Sequence, residues 1–224
     1  MKKVLFACIS ISLLAISCSK SDDPTSSAEK YMSITAGSSW NYHRTDNVTP
    51  ANSTDYTITS SNRDTTAAGK SYHVFTNSNG SSEYYNITGS DYYTLQAFSL
   101  GGTDTTLENL YLKDGAALNS SWSQAYTLNV GIPVGVTVTN KIQEKGISKT
   151  IGSTNYSNVI HVVTTISIPT LASLGGSIAT DIHYYYAPKY GMIQNDAKID
   201  LVVPPAGINQ HTDTKTTLQS ATIL

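Results

Sequence analysis

The stretch Val136-Thr137-Val138-Thr139-Asn140-Lys141-Ile142-Gln143 decides the fold class. Successive side chains of a strand point to opposite faces, so Val136, Val138, Asn140 and Ile142 share one side and Thr137, Thr139, Lys141 and Gln143 the other. Just before it, Trp122, Gln124, Tyr126 and Leu128 alternate in the same way with Ser121, Ser123, Ala125 and Thr127. Further strand-like runs cover residues 56–59, 72–76, 83–88, 92–98, 106–112, 159–168, 181–187 and 192–203. They are rich in Thr, Val, Ile and Tyr, which suit a pleated, half-buried surface.

Between these runs stand Asn77-Ser78-Asn79-Gly80, Thr88-Gly89-Ser90-Asp91, Leu100-Gly101-Gly102 and Lys113-Asp114-Gly115, all turn-forming. Spacings this short suit antiparallel hairpins, because parallel strands need crossovers of a dozen residues or more. One helical turn or two is expected at residues 169–174, ended by Gly175-Gly176. Pro204-Pro205-Ala206-Gly207 sets off a last strand at residues 212–223. The expected fold is all-β and antiparallel. It is either a strongly curved sheet (an unclosed half-barrel) or a sandwich, with at most one short helix.

The N-terminus reads differently. Met1-Lys2-Lys3 is basic, residues 4–16 are almost wholly apolar, and Ser17-Cys18 precedes the polar Ser19-Lys20-Ser21-Asp22-Asp23-Pro24. That order describes a secretory signal, and its apolar run falls short of the roughly 20 residues of a transmembrane helix. Leu14-Ala15-Ile16-Ser17-Cys18 resembles the lipobox of bacterial lipoproteins, with Ala15 where Leu is usual. The resemblance implies cleavage before Cys18 and lipid on its thiol and new amino group, anchoring the chain to a membrane. The domain plan is therefore a signal at 1–17, a lipidated cysteine and flexible tether at 18–30, and one all-β domain at 31–224. Ser19-Lys20-Ser21-Asp22-Asp23 is similar to the acidic export signal of Bacteroidota surface lipoproteins, which implies an outer-membrane location facing outward; a periplasm-facing anchor is the alternative.

Three later motifs extend that likeness. Gly37-Ser38-Ser39-Trp40-Asn41-Tyr42, Gly152-Ser153-Thr154-Asn155-Tyr156-Ser157-Asn158-Val159-Ile160-His161-Val162 and Tyr185-Tyr186-Ala187-Pro188-Lys189-Tyr190-Gly191-Met192-Ile193 resemble segments of uncharacterised Bacteroidota lipoproteins, with Lys189-Tyr190 where Gly-Val is frequent. Those proteins are similar in pattern to lipoprotein-sorting carriers, whose curved antiparallel sheet wraps an apolar cavity. This is a fold-level likeness, and function has to be argued from the site.

Composition narrows the chemistry. Cys8 lies in the signal, so Cys18 is the one cysteine that remains after cleavage. That removes internal disulfides, cysteine-ligated zinc and thiol catalysis. Taking Lys2 and Lys3 from the 14 basic residues leaves 12 against 16 acidic, a formal charge of −4. With Arg44 and Arg63 as its only arginines, the chain is no nucleic-acid binder.

No G-x-S-x-G, H-E-x-x-H, phosphate-loop or calcium-loop signature is present. No catalytic residue, cofactor or metal ligand is assigned. His161 and His183 fall on successive predicted strands and could meet, with Asp181 or Asp200 as a third metal ligand; packed or solvated histidines are the plainer account. Tyrosine is in excess, 15 against 3 phenylalanines. The pairs Tyr84-Tyr85 and Tyr92-Tyr93 and the run Tyr184-Tyr185-Tyr186 put rings on both faces of their strands. Tyr84, Tyr92, Tyr184 and Tyr186 are the candidate ligand surface, since a tyrosine ring offers an apolar body with a polar tip.

The expected function is a non-catalytic envelope lipoprotein whose β domain binds an apolar ligand, a glycan or an envelope partner. A surface hydrolase of lipid or polysaccharide and a purely structural or adhesive module are the alternatives.

Overall fold

The computed structural model describes residues 29–67, 69–100, 103–129 and 133–224. The signal, Cys18 and the tether up to residue 28 lie outside them. Six strands come first: β1 (Ser39–Asp46), β2 (Thr54–Ala67), β3 (Lys70–Asn77), β4 (Ser82–Thr88), β5 (Asp91–Leu100) and β6 (Thr103–Lys113). Six more follow: β7 (Ser121–Asn129), β8 (Pro133–Ile151), β9 (Thr154–Ser167), β10 (Ser177–Ala187), β11 (Gly191–Val203) and β12 (Ile208–Thr222). One short helix, α1 (Thr170–Ser173), sits between β9 and β10.

All twelve strands form a single antiparallel sheet in the order β6-β5-β4-β3-β2-β1-β12-β11-β10-β9-β8-β7. A single rolled sheet replaces the sandwich alternative. Two meanders, β1 to β6 and β7 to β12, are stitched together where β1 pairs with β12, from Ser39 opposite Thr222 to Asp46 opposite Thr214. The sheet's two free edges are thus β6 and β7, consecutive strands that do not form a backbone ladder.

Side chains close that seam instead. Alternate residues of β7 reach across to the β6 backbone: Trp122 Nε1 donates to the Leu110 carbonyl (2.7 Å), Gln124 accepts from the Leu110 N–H (2.6 Å), and Tyr126 donates to the Glu108 carbonyl (2.8 Å). Asn140 of β8 adds a bond to the Leu110 carbonyl (3.1 Å). The result is a nearly closed barrel in which the edge groups of Leu110 and Glu108 are satisfied without strand pairing.

The expected strand runs fall on these elements but are shorter at many ends. β8 runs on to Ile151 through three register shifts against β9, and the irregularity around Gly146 (φ 74°) breaks its alternation. β1 begins inside the Gly37–Tyr42 motif, where buried Trp40 and Tyr42 flank exposed Asn41, and it is a strand absent from the expected runs.

Inside, aromatic rings cross the barrel from β1 to β10. Trp40 meets Phe75 (5.7 Å), Phe75 meets Tyr85 (5.1 Å), Tyr85 meets Tyr111 (6.1 Å), and Tyr111 meets Tyr186 (5.5 Å) between ring centroids. Pairs at such spacings contribute about 0.5–1.5 kcal/mol each beyond their buried area. Apolar Ile142, Val159, Ile160, Val162, Ile193 and Leu218 fill the rest of the core.

The segment before β1 plugs one end. Met32 is buried, the Ser33 N–H donates to the Lys189 carbonyl (3.1 Å), and the Gly37 N–H donates to the Ser60 carbonyl (2.9 Å).

Candidate functional site

Three polar constellations stand out in this scaffold: a tyrosine-lined cavity within the barrel and two histidine arrays on its wall.

The cavity comes from strand periodicity. Tyr184 and Tyr186 of β10 are two residues apart and face inward together, opposite Tyr42 of β1, Tyr56 of β2, Tyr85 of β4 and Tyr111 of β6. They enclose about 140 Å3. Tyr42 and Tyr56 stack at 5.4 Å, and the Tyr42 hydroxyl donates to the Met192 carbonyl (2.8 Å). Glu83 is the one carboxylate on this wall. It accepts from the Tyr85 hydroxyl (2.7 Å) and from Asn77 Nδ2 (2.9 Å).

Burial holds the hydroxyls of Tyr42, Tyr85 and Tyr186 well above the ordinary tyrosine value, and the nearby Glu83 pushes Tyr42 and Tyr85 further. Tyr56 is raised to about 12, again by burial first and Glu83 second. These phenols are therefore neutral at any physiological pH.

Two cavity residues carry a buried polar atom without a partner among the described residues, Trp40 Nε1 and Asn109 Oδ1. Trp40 is 1% exposed. Leaving such a group unsatisfied costs about 1–3 kcal/mol, and about nine in ten buried polar groups avoid that cost. Both residues line the cavity, while the two atoms themselves are covered by protein, so they mark polar groups at its wall that the fold leaves unpaired.

A second, more open cavity of about 460 Å3 adjoins the first. Arg44, Asp55, Asn77 and Asn79 line it, and Tyr56 and Glu83 are walls common to both. It lies at the Arg44 end of β1, away from the N-terminal plug, and across those two common walls it is the polar vestibule beside the aromatic cavity.

Beside the plug, Ser60, His73 and Asp64 come together. Ser60 Oγ is 2.9 Å from His73 Nε2, and His73 Nδ1 is 2.7 Å from Asp64 Oδ1. A bulge in β2 makes this possible: Ser60 pairs with Phe75 and Asp64 with His73, so β2 packs extra residues into a short stretch of β3. The connectivity is that of a hydrolase triad. Ser60, however, is 1% exposed, donates to the Ile34 carbonyl (3.0 Å), and lines neither cavity described above. The Ser60 hydroxyl and both ring nitrogens of His73 have partners inside the fold, while Asp64 is largely exposed.

The other array runs across β8, β9 and β10. Glu144 meets His161 Nδ1 (2.7 Å), His161 Nε2 meets His183 Nδ1 (2.8 Å), and His183 Nε2 meets Asp181 (2.7 Å). Tyr185 stacks on His161 at 4.3 Å, with Lys149 over the outer face of the tyrosine ring at 3.6 Å. Two neutral imidazoles carry two N–H protons, whereas three links need three; all are satisfied when one ring is an imidazolium. Burial, first of all, holds His161 below the ordinary imidazole value, against the opposing pull of Glu144. Only one nitrogen of each ring faces the other. Among the described residues, no group of three His, Cys, Asp or Glu side chains converges as a metal site.

The candidate tyrosines are thus divided. Tyr184 and Tyr186 line the cavity. Tyr92 is fully buried, donates to Asp114 (2.5 Å) and accepts from the Tyr31 N–H (3.0 Å), so it is a brace for the plug and offers no ligand surface. Tyr84 is half-buried on the strand face opposite Tyr85, and it is Tyr85 that reaches the cavity. Cys18 lies outside the described residues. His161 and His183 do meet, while Asp200 pairs with His211 instead. Trp122 is half-buried at the seam, outside the fully buried core.

Sequence reading missed Glu83, Asn109 and the Ser60–His73–Asp64 trio. The strand parity of Glu83 and Tyr85 was a usable signal for the first. No local signal marks the others, because a bulge and long-range pairing create them.

No protein-family model and no curated protein matches the chain. Among solved structures it is similar to a "putative lipoprotein" from Parabacteroides distasonis, with 10% identity, 87% of this chain and 99% of the other covered, and a TM-score of 0.46. Likeness at that level assigns neither a family nor a function.

Proposed function

We propose that this is a lipid-anchored protein of the cell envelope whose barrel holds a small amphipathic ligand in the tyrosine-lined cavity, without making or breaking a bond. One observation carries the reading: Trp40 Nε1 and Asn109 Oδ1 are buried and unpartnered in residues that line the same enclosed space. A ligand with one acceptor and one donor would satisfy both after the side-chain shifts that uncover them, since neither atom is accessible from the cavity as it stands. The cavity's bulk narrows the choice. An apolar cavity of about 150 Å3 takes a benzene-sized guest, so about 140 Å3 suits a single compact group better than an acyl chain. Any larger part of the ligand would extend into the vestibule.

Anchoring rests on the lipobox-like Leu14–Cys18 segment, and the outward-facing location on Ser19–Asp23. Two or more acyl chains on Cys18 would give stable attachment where one would not.

Native mass spectrometry of the full chain, purified in a nonionic detergent, tests the ligand claim. The expected result is a small molecule, distinct from the detergent, released by organic solvent. A bare lipoprotein mass in every preparation would contradict tight binding.

A second reading, hydrolysis by Ser60, is favoured by the triad-like connectivity alone. A fluorophosphonate probe decides it: the buried Ser60 is expected to stay unlabelled, and a Ser60 adduct would make the protein a hydrolase.

A further inference from the structure

We infer that the cavity is built for a compact organic ammonium cation, held by the Glu83 carboxylate and the rings of Tyr42, Tyr56 and Tyr85. This rests on the ligand-binding reading above and names the ligand's class.

The charge balance of the wall comes first. Glu83 is half-buried, and among the described residues no lysine, arginine or histidine nitrogen forms an ion pair with it. Its two hydrogen bonds come from neutral groups, the Tyr85 hydroxyl and the Asn77 amide. A carboxylate has about four lone-pair sites, so acceptor capacity remains. Arg44 lines the same vestibule, together with Asp55, but does not pair with Glu83. A half-buried carboxylate bonded only to neutral groups keeps acceptor capacity that a cationic guest would fill.

The rings supply the second half. Tyr42, Tyr56 and Tyr85 line the cavity with Glu83, and its charge reaches all three hydroxyls. Aromatic faces attract cations within about 6 Å, and cages of this kind recognise quaternary ammonium groups. The unpartnered Asn109 oxygen and Trp40 N–H belong to the same wall and would meet a guest's polar group once side-chain shifts uncover them. A neutral guest of the same shape would use the rings but leave Glu83 uncompensated.

Isothermal titration of the full chain in a nonionic detergent tests this with choline and with 3,3-dimethyl-1-butanol, in which carbon replaces the nitrogen. Choline is expected to bind at least about tenfold tighter, a difference of roughly 1.4 kcal/mol. Glu83→Gln is expected to weaken choline by about tenfold and to leave the neutral alcohol within about twofold, which also shows that the variant is folded. Glycerophosphocholine separates two sources of the cation. Binding tighter than choline marks a lipid headgroup whose phosphate reaches Arg44, and weaker binding marks a free cation; either supports the inference. Equal affinity of the wild-type protein for choline and the neutral alcohol would overturn the cation claim while leaving the ligand-binding reading in place. Binding of neither would overturn both.

Discussion

The trio Ser60–His73–Asp64 and the pair Trp40–Asn109 lie close to the same barrel interior and differ in one physical respect. The trio has the geometry of catalysis, yet its hydroxyl and both imidazole nitrogens are satisfied within the fold and Ser60 is sealed behind the N-terminal plug. The pair resembles no catalytic motif, yet its atoms are buried, unsatisfied and housed in residues that line a cavity. Satisfied polar groups stabilise a fold; unsatisfied ones next to open space mark where a guest belongs. Connectivity alone is therefore a poorer guide to function than a count of unmet hydrogen bonds.

The largest expected effect bears on the cavity side. Its tyrosines are held above their unfolded value of 10.0, so they are protonated in the folded state where the unfolded chain has already lost the proton. Stability from this source is fully present below about pH 10 and falls as pH rises beyond it. Each tenfold difference in proton affinity between the folded and unfolded chain is worth roughly 1.4 kcal/mol. With several tyrosines involved, urea melts above pH 10 should show a loss of several kcal/mol. Tyrosine ionisation at 295 nm should lag behind that of the unfolded chain.

On the trio side, His73→Ala removes the partner of both Ser60 and Asp64 and the edge contact with Phe75 at 5.4 Å. About 2–3 kcal/mol should be lost in equilibrium unfolding. A variant as stable as wild type would show that the trio is not structural and would reopen the catalytic reading.

A smaller effect is expected at the seam. Gln124→Ala deletes the acceptor of the Leu110 N–H and a donor to the Glu108 carbonyl (3.2 Å). The cost should be about 1–2 kcal/mol, with faster hydrogen exchange at the Leu110 amide. Trp40→Phe should change least in stability, within about 1 kcal/mol, because lost volume is offset by removal of an unpartnered donor. Its ligand affinity should nonetheless fall.

Much of the scaffold was legible in the sequence, because alternation reports which face of a strand is buried. The 136–143 run lies within β8, the 192–203 run nearly coincides with β11, and the helical turn fell at residues 169–174 as expected. What alternation cannot show is which strands become neighbours. The β1–β12 ladder and the side-chain seam between β6 and β7 join residues far apart in sequence or replace pairing altogether.

The site follows the same division. Tyr184 and Tyr186 share a face by parity, and the meeting of His161 and His183 follows from the β9–β10 hairpin. The position of Tyr92 depends on the plug, and the Ser60–His73–Asp64 trio on a bulge; neither has a local signature.

The most direct test uses the chain's two tryptophans as a built-in contrast. Trp122 Nε1 is already bonded to the Leu110 carbonyl at the seam, whereas Trp40 Nε1 has no partner within the described fold. In a 1H–15N spectrum of the full chain, choline should move the Trp40 indole resonance downfield and slow its exchange, leaving Trp122 in place. A Trp40 resonance that stays fixed at saturating choline and at saturating neutral alcohol would contradict the assignment of this cavity as the ligand site.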